Sequence, residues 1–225
     1  MDFCKHLKEK KWLNITNIAM DERSPQDMKG TLELLQKVAP ELGVSLADNH
    51  KSYKQYPYIK DICLYIEAPF DKADLDYRKQ LGLNTTFYVC CGPEFPNTFT
   101  FSDPAESIYL AWYAAAMGFD GFLRWTYNSW VENPVIDSRF RTWAAGDTYL
   151  VYPGVRSSIR FERLREGIQD FEKIRILRAS LSTDKLAKLN EEVGKFHIPY
   201  TYSPDNIPCW EMLHQGKKVL EELSR

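Results

Sequence analysis

The feature that most constrains the fold is a regular succession: short β-rich runs and helix-periodic segments alternate from near the start of the chain to about residue 128. Five strands are expected, at 13–20, 44–47, 62–66, 85–91 and 121–126, with helical pattern in the gaps. Strands joined through helices run parallel, because a crossover of that length returns the chain to the same end of the sheet. The run 85–91 is β-branched and aromatic almost throughout, which suits a strand covered on both faces. The fold class read from this pattern is α/β with a parallel sheet.

Element boundaries carry their own chemistry. Ser24 before Pro25 and Asp27, and Asp103 before Pro104 and Glu106, each supply a side-chain N-cap, a proline at the first helical position and an acid in the first turn. Gly82 and Gly118 follow helical stretches where a left-handed residue is wanted. After Trp130 the alternation stops. A loop with Pro134, Asp137 and Gly146 leads to an extended piece at 148–152, a turn at Pro153-Gly154 and a second extended piece at 158–161, together a short hairpin. A long helix follows, on which Leu164, Ile168, Phe171 and Leu177 recur at helical spacing. Two more helices, 183–196 and 209–223, end the chain. This divides it into a barrel-type part, 1–130, and an extension, 131–225, packed on the same domain.

Composition narrows the function. The chain has 225 residues, of which 44% are hydrophobic, so it can bury a substantial core. Its 29 basic and 31 acidic residues are well mixed, so neither nucleic acid nor an anionic membrane finds a complementary patch. No apolar stretch has the length of a membrane span, and the opening MDFCKHLKEKK is charged where a signal peptide needs an apolar core. The five cysteines, Cys4, Cys63, Cys90, Cys91 and Cys209, lack CxxC spacing, and the four histidines make no HExxH. No GxSxG and no phosphate-cradling glycine loop occurs. No metal and no organic cofactor is expected.

In parallel α/β architectures reactive side chains gather at the carboxyl ends of strands. That rule selects Asp21-Glu22, Asp48-Asn49-His50, Glu67, the segment from Cys90-Cys91 to Asn97, and Trp125-Thr126-Tyr127-Asn128-Ser129-Trp130. Acids and amides with aromatic faces suit a carbohydrate site, since rings stack on sugars while polar groups read hydroxyls. Each element also has a plain alternative. Asp21-Glu22 suits the amino end of the helix starting at Pro25 equally well. The aromatics suit core and rim packing, Asp48-Asn49-His50 suits a turn, and Cys90-Cys91 suits packing.

Taken in order, three blocks resemble a known family: GFLRWTYNSW (121–130), GDTYLVYPG (146–154) and SSIRFERLREGIQDFE (157–172). They are similar to the C-terminal part of the domain-of-unknown-function family 4091, which includes glycoside hydrolase family 123, the β-N-acetylgalactosaminidases. The strand ending in Asp21-Glu22 and the segment CCGPEFPN fall in the family's order, so the resemblance covers nearly the whole chain. One departure is that Arg23-Ser24 stands between the acidic pair and Pro25.

The resemblance implies a (β/α)8 barrel and a substrate-assisted retaining mechanism, outside the two-carboxylate scheme. It makes Asp21 the acid that orients the sugar's acetamido group and Glu22 the general acid/base. Trp125, Tyr127 and Asn128 would form the sugar-binding wall, with Asn97 a further substrate contact. Two carboxylates held close cannot both ionise cheaply, so such a pair can retain a proton near neutral pH. Arg160, Glu162, Arg165, Glu166 and Asp170 are expected to be structural, an ion-pair network tying the long helix to the barrel.

A complete barrel takes about 250 residues. The five strands would then correspond to barrel strands 4 to 8, and the missing strands imply a fragment, a truncated product or a half-barrel that forms a homo-oligomer. The function implied is hydrolysis of β-linked N-acetylhexosamine in a glycan or glycoside. The alternative is a non-catalytic carbohydrate-binding or structural remnant. Full-length relatives of this type often act outside the cytoplasm, while no signal peptide is read in this chain, and the compartment is left open.

Overall fold

A computed structural model of the chain describes residues 3–48, 50–56, 59–68, 70–139, 142–197 and 207–225. Strands β1 (Asn17–Asp21), β2 (Gly43–Asp48), β3 (Asp61–Tyr65), β4 (Asn84–Val89) and β5 (Gly121–Arg124) form one parallel sheet in chain order. Helices α1 (Phe3–Glu9), α2 (Pro25–Val38), α3 (Ser52–Gln55) and α4 (Lys72–Gln80) accompany the first strands. Helix α5 (Pro104–Met117) joins β4 to β5, and α6 (Ile159–Ser180), α7 (Thr183–Val193) and α8 (Cys209–Leu223) follow. This is the α/β, barrel-type succession that the alternation predicts. Contacts divide the chain into two compact units, Met1–Phe87 and Tyr88–Arg225.

In the first unit, β2 and β3 bury Val44, Leu46, Ile62, Cys63 and Leu64, and Met28 and Leu32 of α2 are buried as well. The parallel register sets Met20 against Leu46 and Leu46 against Ile62. Arg78 of α4 is buried and each of its guanidinium nitrogens donates: to Thr85 Oγ1 at 2.9 Å, Ile59 O at 3.0 Å and Asn84 O at 2.7 Å, fixing α4 to the start of β4. The first strand is shorter than expected. Leu13–Ile15 forms a 3₁₀ turn, because Trp12 O accepts from both Ile15 N and the Thr16 hydroxyl, and β1 begins only at Asn17.

The second unit is organised by α5, which is buried from Ala105 to Ala115. Its start is at the expected N-cap Asp103, which forms a capping box with Glu106, and its end is Gly118 at φ 84. A Cβ on Gly167 would stand 3.0 Å from the Ile108 backbone, and one on Gly216 would stand 2.6 Å from the Trp112 ring. Both glycines therefore admit close helix approach. The buried line of α6 is Arg160, Leu164, Gly167, Ile174 and Leu177. Ile168, expected in the stripe, is exposed, because the face turned to α5 is set by the Gly167 notch.

Three further expectations change here. The piece at 158–161 is not extended: Ser158 is the N-cap of α6, accepting from Phe161 N at 3.1 Å. The hairpin reduces to one bridge, Tyr152 with Arg156. The expected ion-pair network is dispersed. Arg160 donates to the carbonyls of Thr98 and Gly146, Glu162 pairs with Arg165 within the helix, and Lys217 of α8 joins Glu166 at 3.0 Å and Asp170 at 2.5 Å. It ties α6 to α8.

Candidate active site

Asp21 is the last residue of β1, and its register partner is Ala47 in β2. Glu22 donates its backbone N–H to Ala47 O at 3.0 Å while its φ is 38. A non-glycine backbone in the left-handed region costs of order 1–3 kcal/mol, and such strain gathers where a side chain must be aimed. Both carboxylates are exposed. Asp21 borders an open recess of about 590 Å³ with Arg23, Asp27 and Thr31. The start of α2 is served by other groups: Ser24 Oγ accepts from Asp27 N at 3.2 Å and donates to Asp27 Oδ2 at 2.7 Å.

The aromatic segment after β5 lies in the second unit and is laced to residues 147–151. Leu150 N donates to Tyr127 O at 2.8 Å, Ser129 N to Thr148 O at 2.9 Å, and Trp130 Nε1 to Val151 O at 2.7 Å, with Asn128 bridged to Tyr149. Trp125 is 39% exposed and Tyr127 46% exposed. Asn128 is exposed too. Trp125 Nε1 donates to Asp147 Oδ1 at 3.1 Å, and the same oxygen accepts from Arg124 at 2.5 Å. Arg124 also donates to Val89 O at 2.8 Å. Burial lowers the pKa of this guanidinium from its ordinary value, against the opposing effect of Asp147.

The remaining strand ends are engaged locally. Asp48 is buried and accepts from His50 N at 2.9 Å, Ser52 N at 2.7 Å and Ser52 Oγ at 3.1 Å, which makes it a turn former. Asn49 lies outside the described residues. Glu67 accepts from Tyr65 OH at 2.8 Å. The sulfurs of Cys90 and Cys91 lie 3.7 Å apart as free thiols, and burial pushes the Cys90 thiol up to about 11. Asn97 corrects the reading of it as a substrate contact. It is 0% exposed, its amide donates to Cys90 O at 3.0 Å and Pro93 O at 2.7 Å, and its oxygen accepts from Thr98 N at 2.8 Å. Every polar atom of the side chain is committed to the loop. Among the described residues no group of three or more His, Cys, Asp or Glu is arranged to hold a metal ion.

Residues 1–177 match the model of the glycoside hydrolase 123 catalytic domain. The chain belongs to glycoside hydrolase family 123. Among solved structures it is similar to a family 123 glycoside hydrolase from Clostridium perfringens, described in a study of glycolipid glycan hydrolysis. The TM-score is 0.83 and the identity 29%, over 99% of this chain and 42% of that one. The chain thus spans 42% of the length of that relative. No curated protein matches it.

In this family 123 chain, the first unit holds Asp21 and Glu22 and the second holds Trp125, Tyr127 and Asn128. Arg124 and Asp147 were not singled out from sequence. A signal existed: each is the lone charge in an apolar run, GFLRW and GDTYL, of opposite sign. Buried charges of that kind need one another.

Proposed function

We propose that this family 123 domain hydrolyses terminal β-linked N-acetylhexosaminides, N-acetylgalactosamine foremost, by a substrate-assisted retaining route. The observation that carries the reading is the acidic pair at the carboxyl end of β1, with Glu22 held at positive φ. Asp21 accepts from the sugar's acetamido N–H, which directs the acetamido oxygen at the anomeric carbon. As that C–O bond forms, the bond to the aglycone breaks, and Glu22 gives its proton to the departing oxygen. Asp21 then stabilises the oxazolinium-like intermediate. Glu22 next takes a proton from water, which attacks the anomeric carbon and regenerates the acetamide with configuration retained.

Trp125 and Tyr127 offer partly exposed rings to the sugar face, and Asn128 offers an amide to its hydroxyls. A hydrolase of glycolipid glycans as a relative is consistent with a terminal amino sugar as substrate. The test is turnover of an aryl β-N-acetylgalactosaminide by the chain, with Glu22→Gln as control. Turnover that survives Glu22→Gln undiminished would sink the assignment of the acid.

A second reading rests on the partly exposed rings of Trp125 and Tyr127: a carbohydrate-binding module without catalysis. Binding of N-acetylgalactosamine by calorimetry, with no turnover and no affinity for a thiazoline mimic of the intermediate, would favour it.

A further inference from the structure

The Arg124–Asp147 pair is costly as a purely structural element. Asp147 is 0% exposed and the Arg124 side chain 4% exposed, yet Asp147 Oδ2 and Arg124 Nε have no hydrogen-bond partner among the described residues. Apolar residues of similar volume in place of a buried ion pair commonly leave stability unchanged or raise it. Incompletely satisfied buried polar atoms call for another explanation. The contacts supply one. Arg124 refers Asp147 to the end of β4 through Val89 O, and Asp147 Oδ1 then fixes the Trp125 indole through Nε1. Trp143 closes on the same indole edge-on, with ring centroids 5.5 Å apart at 65°. A partly exposed tryptophan held by its nitrogen on one side and an aromatic edge on another presents one face in one orientation.

We infer that Asp147, anchored by Arg124, is a positioning residue that fixes the face of Trp125 against the sugar, an inference that rests on the function proposed above. It acts through Trp125 and touches no reacting atom. Its consequence is that the ion pair matters to substrate binding more than to folding. A stacking ring contributes only when its plane is set in advance, and small misplacements of such groups are expensive.

The test uses the full chain labelled with ¹⁵N, with the Trp125 indole resonance assigned by its loss in Trp125→Phe. In the native chain that proton is expected downfield, as for a charge-assisted donor. The double variant Arg124→Met/Asp147→Leu removes both charges together and should remain folded while the resonance moves upfield. If it does not fold, Asp147→Asn serves, since it keeps the shape and removes the acceptor's charge. On an aryl β-N-acetylgalactosaminide, the variant should lose about tenfold in kcat/KM, mostly through KM. Trp125→Phe should lose a similar factor, and combining the changes should cost nothing further.

An unchanged indole resonance, or losses that multiply in the combination, would overturn the inference. A native chain with no turnover counts against the hydrolase reading, and absence of N-acetylgalactosamine binding in calorimetry would count against a sugar as the ligand of Trp125. The resonance still decides independently whether Asp147 sets the ring.

Discussion

The carboxyl ends of β1 and β5 are held in opposite ways. At β1, one backbone hydrogen bond from Glu22 to Ala47 and a left-handed φ aim two exposed carboxylates, and the neighbouring helix is capped by Ser24 and Asp27 instead. At β5, six aromatic and polar residues are stitched to 147–151, and a buried ion pair stands behind Trp125. The contrast separates two kinds of candidate site residue. Those at β1 are exposed at the end of a strand, while those at β5 share their support with the fold.

The largest expected effect tests the β1 side. Glu22→Gln should lower kcat by about 10²–10⁴-fold, the range for a general acid/base, while the urea midpoint stays where it is. A fall in stability comparable to the fall in rate would break the contrast. Next, on the β5 side, Asp147→Ala strands Arg124 as a buried charge. Chemical denaturation should show a loss of about 3–5 kcal/mol, which the added change Arg124→Met largely restores.

Smaller, and still within the second unit, is the effect of Glu106. Burial raises this carboxyl to about 7, with the Asn97 and Asp103 N–H donors opposing the shift. A folded-state pKa above the unfolded one means its stability contribution is complete below about 4.5 and is lost as pH rises through about 7. The melting temperature should therefore fall across that window, and Glu106→Gln should flatten the slope. The smallest effect belongs to the cap beside the acids. Ser24→Ala should cost about 1 kcal/mol in urea titration and leave turnover intact, since the cap serves α2 alone.

Much of the fold could be read in advance because strand and helix signals are local. Ser24, Asp103 and Gly118 act within a few residues of themselves, and the structure places each cap as expected. The apolar triplet Leu13–Ile15 misled because a turn closed by the Thr16 hydroxyl uses the same residues as a strand. Ile168 misled because an apolar spacing cannot show that the helix contact runs through a glycine, Gly167. Of the site, the acids and aromatics stand out as residue types at strand ends. The pairing of Arg124 with Asp147, 23 positions apart, and the internal bonding of Asn97 depend on the folded path and leave only a weak trace in composition.

Helix α5 carries one more consequence. Its backbone has eleven successive buried residues, enclosed by α6, α7, α8 and β5, and its last turn is held by Arg178 donating to Ala115 O at 2.9 Å. From Ala105 to Ala115 every residue is buried, so water reaches this stretch when the surrounding helices part. Its amide protons should therefore be among the slowest in the second unit to be replaced by deuterium, leaving only when that unit unfolds as a whole. The rate at which α5 takes up deuterium would then measure the lifetime of the scaffold on which the aromatic wall is mounted.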